Sequence, residues 1–333
     1  MWGAGIALLL VLALGCRPEQ PAPAPDAATT ALLAQLQRAY RAGERATALA
    51  LADSVIRRDP ARPEGYVWKA AVLRELGQLR AAESALREAL RLQPNHVEAR
   101  LLLARVVQQQ GRLQEALGQY RQALRRATGT LQAAAWLQLG HVYRELGRLD
   151  SAAFGFQEAL RRDSTLAEAW DGLRQVRELE GRLSEALAAA RRAQQQAPDD
   201  PDYRLALGTL LVRMGRSDEA ITWLEGVLAA RPWHAVAHYH LGRALLARGD
   251  TAAGRRHLSR AEQLRRLEPL LTQAEVEVAR HADALALLKL ARRLLQEGYA
   301  EQTRQAVEAA RALQPESPTL ERLLQAMNEL ASS

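Results

Sequence analysis

The chain has 333 residues, a formal net charge of +7 and a single cysteine. Its length would allow two or three globular domains, and one cysteine leaves no paired-cysteine metal or disulfide site. The basic balance is almost all arginine, with Lys69 and Lys289 the only lysines; such a bias reflects a GC-rich coding background, and basic charge alone is too weak a footprint to imply a nucleic-acid partner.

Residues 2 to 15 form an apolar run of 14 residues that ends at Cys16, the sole thiol of the chain. The run is too short to span a bilayer comfortably and suits the core of a signal peptide. Gly15 followed by Cys16 resembles the bacterial lipoprotein cleavage box. The resemblance implies that residues 1–15 are removed and that Cys16 is lipidated as the mature N-terminus. Ala13 and Leu14 depart from the usual leucine and small residue, and no Lys or Arg precedes the apolar core. A plain secretory signal with an incidental cysteine, or a misjudged start codon, is the other reading. Residues 16–28 follow as a Pro/Ala-rich tether, with four prolines between Arg17 and Ala28 that favour an extended spacer. Arg17 stands where some lipoproteins carry the aspartate that retains them in the inner membrane. The expected location is therefore the periplasmic face of the bacterial cell envelope, at the outer membrane, held through acylated Cys16.

From there the chain repeats. Gly43, Gly77 and Gly111 are 34 residues apart, as are Gly147, Gly181, Gly215 and Gly249, and only the step from Gly111 to Gly147 is 36. Pro60 and Pro94 keep the same spacing, as do Pro198 and Pro232. A fixed period means one supersecondary unit copied in a row. Counting Gly147 as position 15, the unit that starts at Ala133 has Trp136 at position 4, Leu139 at 7, Gly140 at 8, Tyr143 at 11, Ala152 at 20, Phe156 at 24 and Ala159 at 27. This pattern resembles the tetratricopeptide repeat, and the resemblance covers roughly residues 29–333. It implies an all-α solenoid, a right-handed superhelix of about eight helical hairpins starting near 29, 63, 97, 133, 167, 201, 235 and 284, closed by a capping helix over about 319–330.

The residue types have physical reasons. Positions 4, 7, 8 and 11 form one helical face. Small residues at 8, 20 and 27 let paired helices approach, and large ones at 4 and 24 fill the remaining volume. Glycine at 15 ends the first helix in a left-handed conformation, and Asp150, Ser184 and Asp218 at position 18 are suited to cap the second. Two departures break the period: two extra residues near Gly129 to Leu131, and an extra segment of about 269–283 whose pattern fits an added or lengthened helix.

No catalytic constellation is present: there is no phosphate loop, no zinc-protease motif and no convergent triad, so an enzyme is not expected. His234, His238 and His240 cluster, but their repeat positions indicate packing or surface roles, and no metal, cofactor or small-molecule substrate is expected. In the resembled family the first helices line a concave groove through positions 2, 5, 9, 12 and 13. The corresponding candidates are Gln37, Tyr40, Arg74, Leu101, Arg105, Leu137, His141, Arg144, Asp171, Gln175, Tyr239, Arg243 and Arg292. Such a strip suits an extended or helical peptide with apolar side chains and some negative charge; alternatively, the apolar position-5 residues pack between neighbouring repeats. The expectation is a lipid-anchored, non-enzymatic scaffold for one or more protein or peptide partners. A soluble periplasmic or secreted peptide-binding chaperone and an accessory recruiting subunit of an enzyme complex are the alternatives.

Overall fold

The structure is a computed structural model that describes residues 27–231, 234–279 and scattered positions between 288 and 325. The described residues form fourteen α-helices and no strand. Contacts group the chain into two compact units, residues 1–176 and 177–333. The first holds α1 (Ala27–Arg41) paired with α2 (Arg45–Arg58), α3 (Pro63–Glu75) with α4 (Leu79–Leu92), α5 (Val97–Gln109) with α6 (Leu113–Leu124), α7 (Gly129–Glu145) with α8 (Leu149–Arg162), and most of α9 (Ala167–Leu179). The second holds α10 (Leu183–Gln196), α11 (Pro201–Arg213) with α12 (Ser217–Ala230), and α13 (Ala235–Arg248) with α14 (Thr251–Ala279). No described helix is long and apolar enough to cross a membrane.

Each hairpin turn is closed by main-chain groups. At Gly147 (φ 70°) the glycine N–H donates to the Arg144 carbonyl at 2.9 Å and the next N–H, of Arg148, donates to the Tyr143 carbonyl at 2.8 Å. That pair of bonds satisfies two orphan carbonyls at the helix end and requires a residue comfortable at positive φ. The residue after the glycine then serves as N-cap of the second helix: Arg148, Arg182 and Arg216 hold this place with no side-chain cap bond. The capping expectation at position 18 is therefore corrected. Asp150 and Asp218 sit in the first turn rather than before it, where a carboxylate still complements the helix dipole. Side-chain caps occur mainly on first helices: His96 and His234 accept the N–H of Ala99 and Ala237 through Nδ1 at 3.3 Å each, and Asp200 accepts that of Asp202 at 2.8 Å. Among second helices, Asp250 accepts the N–H of Ala253 at 3.1 Å at the start of α14.

The core is alanine-rich and closely approached. Ala82, Ala116, Ala152, Ala186 and Ala220, all at position 20, are fully buried, as are the large position-24 side chains Tyr120 and Phe156. Phe156 lies between two glycines: a Cβ on Gly140 would stand 2.7 Å from its ring, and one on Gly172 would stand 2.5 Å away. Real Cβ contacts do not reach such distances, so glycine at both positions is a requirement of the ring.

Position 4 has a second role beyond packing. Its side chain donates to the main-chain carbonyl six residues earlier, in the preceding loop: Tyr66 to Pro60 at 3.2 Å, Trp170 to Ser164 at 3.1 Å, Arg204 Nε to Pro198 at 2.9 Å, and Arg100 to Pro94. This bond ties these four hairpins to the loops that enter them. Trp136 breaks the series. Six residues before it lies Thr130, inside α7 and not in a loop, and the indole N–H of Trp136 is buried without a partner. A buried donor left unpaired costs about 1–3 kcal/mol. Trp136→Phe and Trp170→Phe remove the same ring volume, and a phenyl ring at 136 keeps the edge contact with Phe154 and the place under Arg162, so the difference reports mainly this bond. Trp170→Phe is expected to lower stability by about 1 kcal/mol more than Trp136→Phe, as measured by urea unfolding; equal losses would contradict the assignment.

The departures from the period resolve into helix. The two extra residues near Gly129–Leu131 do not form a separating loop; α7 starts at Gly129 and runs 17 residues, while α6 stops after 12. The extra segment after Glu268 continues α14 as one 29-residue helix through Pro269 to Ala279. At the other end, Ala27 and Ala28 belong to α1, two residues inside the expected tether. The leader, Cys16 and residues 17–26 lie outside the described residues, as do most of the eighth unit from 284 and of the capping helix over 319–330.

Candidate functional site

In the first unit, α3, α5 and α7 line a trough of three cavities that share walls. On α5, Glu98, Leu101, Arg105 and Gln108 follow the three- and four-residue spacing that places side chains on one helical stripe. A cavity of about 250 Å³ is lined by Leu101, Leu102, Tyr120, Leu131 and Ala134 together with Glu98, Arg105 and Gln138. Sharing Arg105 and Gln138 with it, a wholly polar cavity of about 420 Å³ adds Arg74, Gln108, Gln109 and Glu145. Sharing Glu98 and Leu131 on the other side, a third of about 650 Å³ extends to Glu64, Val67 and Trp68 of α3. An apolar slot is thus flanked by amides, carboxylates and three guanidiniums, those of Arg74 and Arg105 on one side and Arg126 on the other.

The polar side chains are partly preset. Gln108 donates through Nε2 to Glu145 Oε1 at 2.7 Å and accepts at Oε1 from the Tyr120 hydroxyl at 3.2 Å. Burial pushes the Tyr120 phenol well above its ordinary range, so it stays a donor. Arg74 Nε is buried with no partner, while Arg105 is exposed. Beyond Arg105, His141 Nε2 lies 3.0 Å from Glu168 Oε1, and this hydrogen bond holds the Glu168 carboxyl below its ordinary value against the opposing effect of burial.

The sequence-derived candidates separate into groups. Arg74, Leu101 and Arg105 line the trough. Leu137 does not: at 5% exposure it belongs to the core, and Ala134 and Gln138 present the surface beside it. Gln37 is exposed on α1. Tyr40 is committed internally, edge-on to Trp68 with centroids 5.4 Å apart, under the Arg45 guanidinium and bonded to Glu75. His141 is likewise engaged, edge-on to Phe156 at 5.0 Å besides its bond to Glu168. Arg144 is half-buried on α7. Asp171 and Gln175 satisfy each other at 2.5 Å, with Arg174 Nε 2.6 Å from the same carboxylate. Position-based reasoning on the 5, 9 and 12 strip missed Gln138, at position 6, and Leu131, which enters only because α7 is extended. The candidates also omitted Glu98 and Glu145, at positions 2 and 13, which line the same cavities.

In the second unit, α13 exposes Val236, Tyr239 and Leu246, and the Arg243 guanidinium stands 5.9 Å from the Tyr239 ring centroid. Arg292 is an exposed helical residue. The histidines of this unit have structural partners or neighbours. His234 caps α13, and His238 stacks on His257 with their Nδ1 atoms 2.9 Å apart. His240 stands edge-on to Tyr239, and burial lowers its pKa, with Arg243 adding to the effect. Among the described residues no group of three or more His, Cys, Asp or Glu could hold a metal ion.

Comparison with known proteins agrees with this architecture. Tetratricopeptide repeat models match residues 101–167, 137–201 and 179–231, and a model described as anaphase-promoting complex, cyclosome, subunit 3 matches residues 42–123. No curated protein matches. Among solved structures, a tetratricopeptide repeat protein from Parabacteroides merdae is 19% identical, covering 71% of this chain and 93% of its own, with a TM-score of 0.53. PilW, described as a widely conserved type IV pilus biogenesis factor, is 17% identical over 66% of this chain and 100% of its own, with a TM-score of 0.60. Pseudomonas aeruginosa pilF is 21% identical over 64% and 94%, with a TM-score of 0.55. At these identities the likeness is one of fold.

Proposed function

We propose, on the premise that this chain is a tetratricopeptide repeat protein, that it is a non-enzymatic scaffold which holds a partner polypeptide in the trough of α3, α5 and α7. The observation that carries this reading is the juxtaposition of the slot lined by Leu101, Leu102 and Leu131 with the polar cavity that contains Arg74 and Arg105. An extended or helical peptide with an apolar anchor and a neighbouring carboxylate matches both halves. The anchor displaces water from apolar surface, and the carboxylate is met by the Arg74 and Arg105 guanidiniums. Glu98 and Glu145 add selectivity, since a uniformly acidic ligand would meet like charge there. The test is cross-linked capture of envelope polypeptides by the full chain beside an Arg74→Glu/Arg105→Glu variant. Partners lost from the variant support the trough as the docking site; an unchanged set assigns binding to another face.

The scaffold is lipid-anchored in this reading, on the periplasmic side of the bacterial outer membrane. Support comes from the sequence: an apolar run of 14 residues, the only cysteine directly after it, and a proline-rich spacer before α1. More than one acyl chain on Cys16 would suffice for stable anchoring where a single chain is marginal. Fractionation of cells producing the wild type is expected to place the chain with membranes, and Cys16→Ala to release it to the soluble fraction. Identical distribution of the two removes the anchor.

A further inference from the structure

The junction of the third and fourth hairpins is built differently from the other described junctions. Because α6 stops at Leu124, Arg125 and Arg126 fall in the connection to α7 instead of the last helical turn. A cavity of about 220 Å³ opens there, lined by Asn95, Val97, Arg100, Gln122, Ala123, Arg125 and Arg126. Three of its residues are arginines and none is acidic.

Arg100 is the unusual member. It is half-buried, and its hydrogen bonds go to neutral acceptors: the amide oxygens of Gln119 at 3.2 Å and Gln122 at 2.5 Å, and the Pro94 carbonyl. Burial lowers its pKa with no carboxylate to offset the effect. Arg204, at the same repeat position, makes the same bond to a proline carbonyl but has Asp199 at 3.7 Å. Arg62, Arg162 and Arg174, all partly buried, hold carboxylates at 2.8, 2.7 and 2.6 Å. Arg125 and Arg126 are exposed and, among the described residues, pair with no carboxylate. A partly desolvated guanidinium is costly unless paired, and here the folded chain supplies dipoles but no counter-charge.

We propose that this cavity is an anion site that takes a phosphate group. Guanidinium forks match phosphate oxygens bidentately, and a tetrahedral dianion offers enough acceptors and charge for three of them, where a single carboxylate would satisfy one. Arg126 also borders the cavity that contains Glu98, so the site stands beside the peptide trough without sharing its Arg74 and Arg105. The phosphate comes either from a soluble molecule or from a lipid headgroup at the membrane surface.

The experiment uses the full chain carrying Cys16→Ala, so that no acyl chain supplies binding. Calorimetric titration with inorganic phosphate, against chloride at equal ionic strength, is expected to give saturable one-site binding. Arg125→Gln/Arg126→Gln, which alters only exposed side chains, is expected to weaken it about tenfold or more. Arg100→Gln is expected to weaken it further. No phosphate binding above chloride, or equal binding by wild type and the double variant, overturns the proposal. Flotation with phosphatidylglycerol–phosphatidylcholine vesicles separates the sources. Vesicle binding that the double variant loses and phosphate competes away identifies the headgroup; phosphate binding without vesicle binding identifies a soluble ligand.

Discussion

Phe156→Ala costs this chain about 3–5 kcal/mol, the range for emptying a fully buried aromatic site. The ring has no solvent exposure and is held against Gly140 and Gly172, on two different first helices. The α7 backbone cannot close the space the ring leaves, since it already sits close against α8: a Cβ on Gly155, across the same hairpin, would stand 2.9 Å from Gly140. In a repeat chain, stability is close to a sum of unit and neighbour terms, so the loss is local. Amides of α7 to α9 exchange faster in the variant, while those of α11 to α13 keep their protection. Hydrogen exchange followed by mass spectrometry reads this directly. A compensating change sharpens the test. In the wild type, Gly140→Ala destabilises because its methyl meets the ring; in the Phe156→Ala background the same methyl has room and gains about 1 kcal/mol of helix propensity. A sign that does not reverse would place the ring elsewhere. Phe154, two residues away and 53% exposed, provides the control: its edge contact with Trp136 at 5.5 Å is worth about 0.5–1.5 kcal/mol.

Reversing both guanidiniums of the trough, Arg74→Glu with Arg105→Glu, lowers affinity for a peptide carrying an apolar anchor and a carboxylate by about a hundredfold or more. Each charge-assisted contact contributes about 1.5–3 kcal/mol, and two introduced carboxylates add repulsion. The cost to the fold is small: Arg105 is exposed, Arg74 Nε has no partner to lose, and the Arg74 side chain gives up its hydrogen bond with Tyr40, which Trp68, Arg45 and Glu75 still hold. Circular dichroism of the variant therefore matches the wild type while fluorescence anisotropy of a labelled peptide shows the loss. The wild-type affinity falls with added salt, because exposed charges are screened over about 8 Å at physiological ionic strength, and the dependence reverses sign in the variant, where like charges face each other. Retained affinity in the variant removes the trough from the account.

The frame was legible in the sequence because it rests on local backbone chemistry. A glycine that must take positive φ marks each of the seven described turns, a proline that cannot continue a helix follows four of the second helices, and α3, α5, α9, α11 and α13 begin at 63, 97, 167, 201 and 235. Burial of small residues at position 20 followed from the same spacing. What escaped depends on how far a neighbour reaches. Leu137 and Leu101 hold the same repeat position, yet the extra turn that begins α7 accompanies burial of the first while the second stays half-open. The bond from position 4 to the preceding loop was hidden because tyrosine, tryptophan and arginine look unrelated until their donors are placed. The trough's acids were hidden because Glu98 is equally a first-turn residue and Glu145 a last-turn one, and helix physics explains a carboxylate at the former without any partner.

Six of the seven described turns are fastened by main-chain groups and one glycine apiece, with no cap bond from the side chain that follows, and only after Gly249 does the next residue, Asp250, add one. Architecture and recognition are thus written in separate alphabets along the same unit. Selection can rewrite the letters that face a partner, copy by copy, without disturbing those that keep the copies in register, and an old frame can acquire a new client through a handful of surface changes.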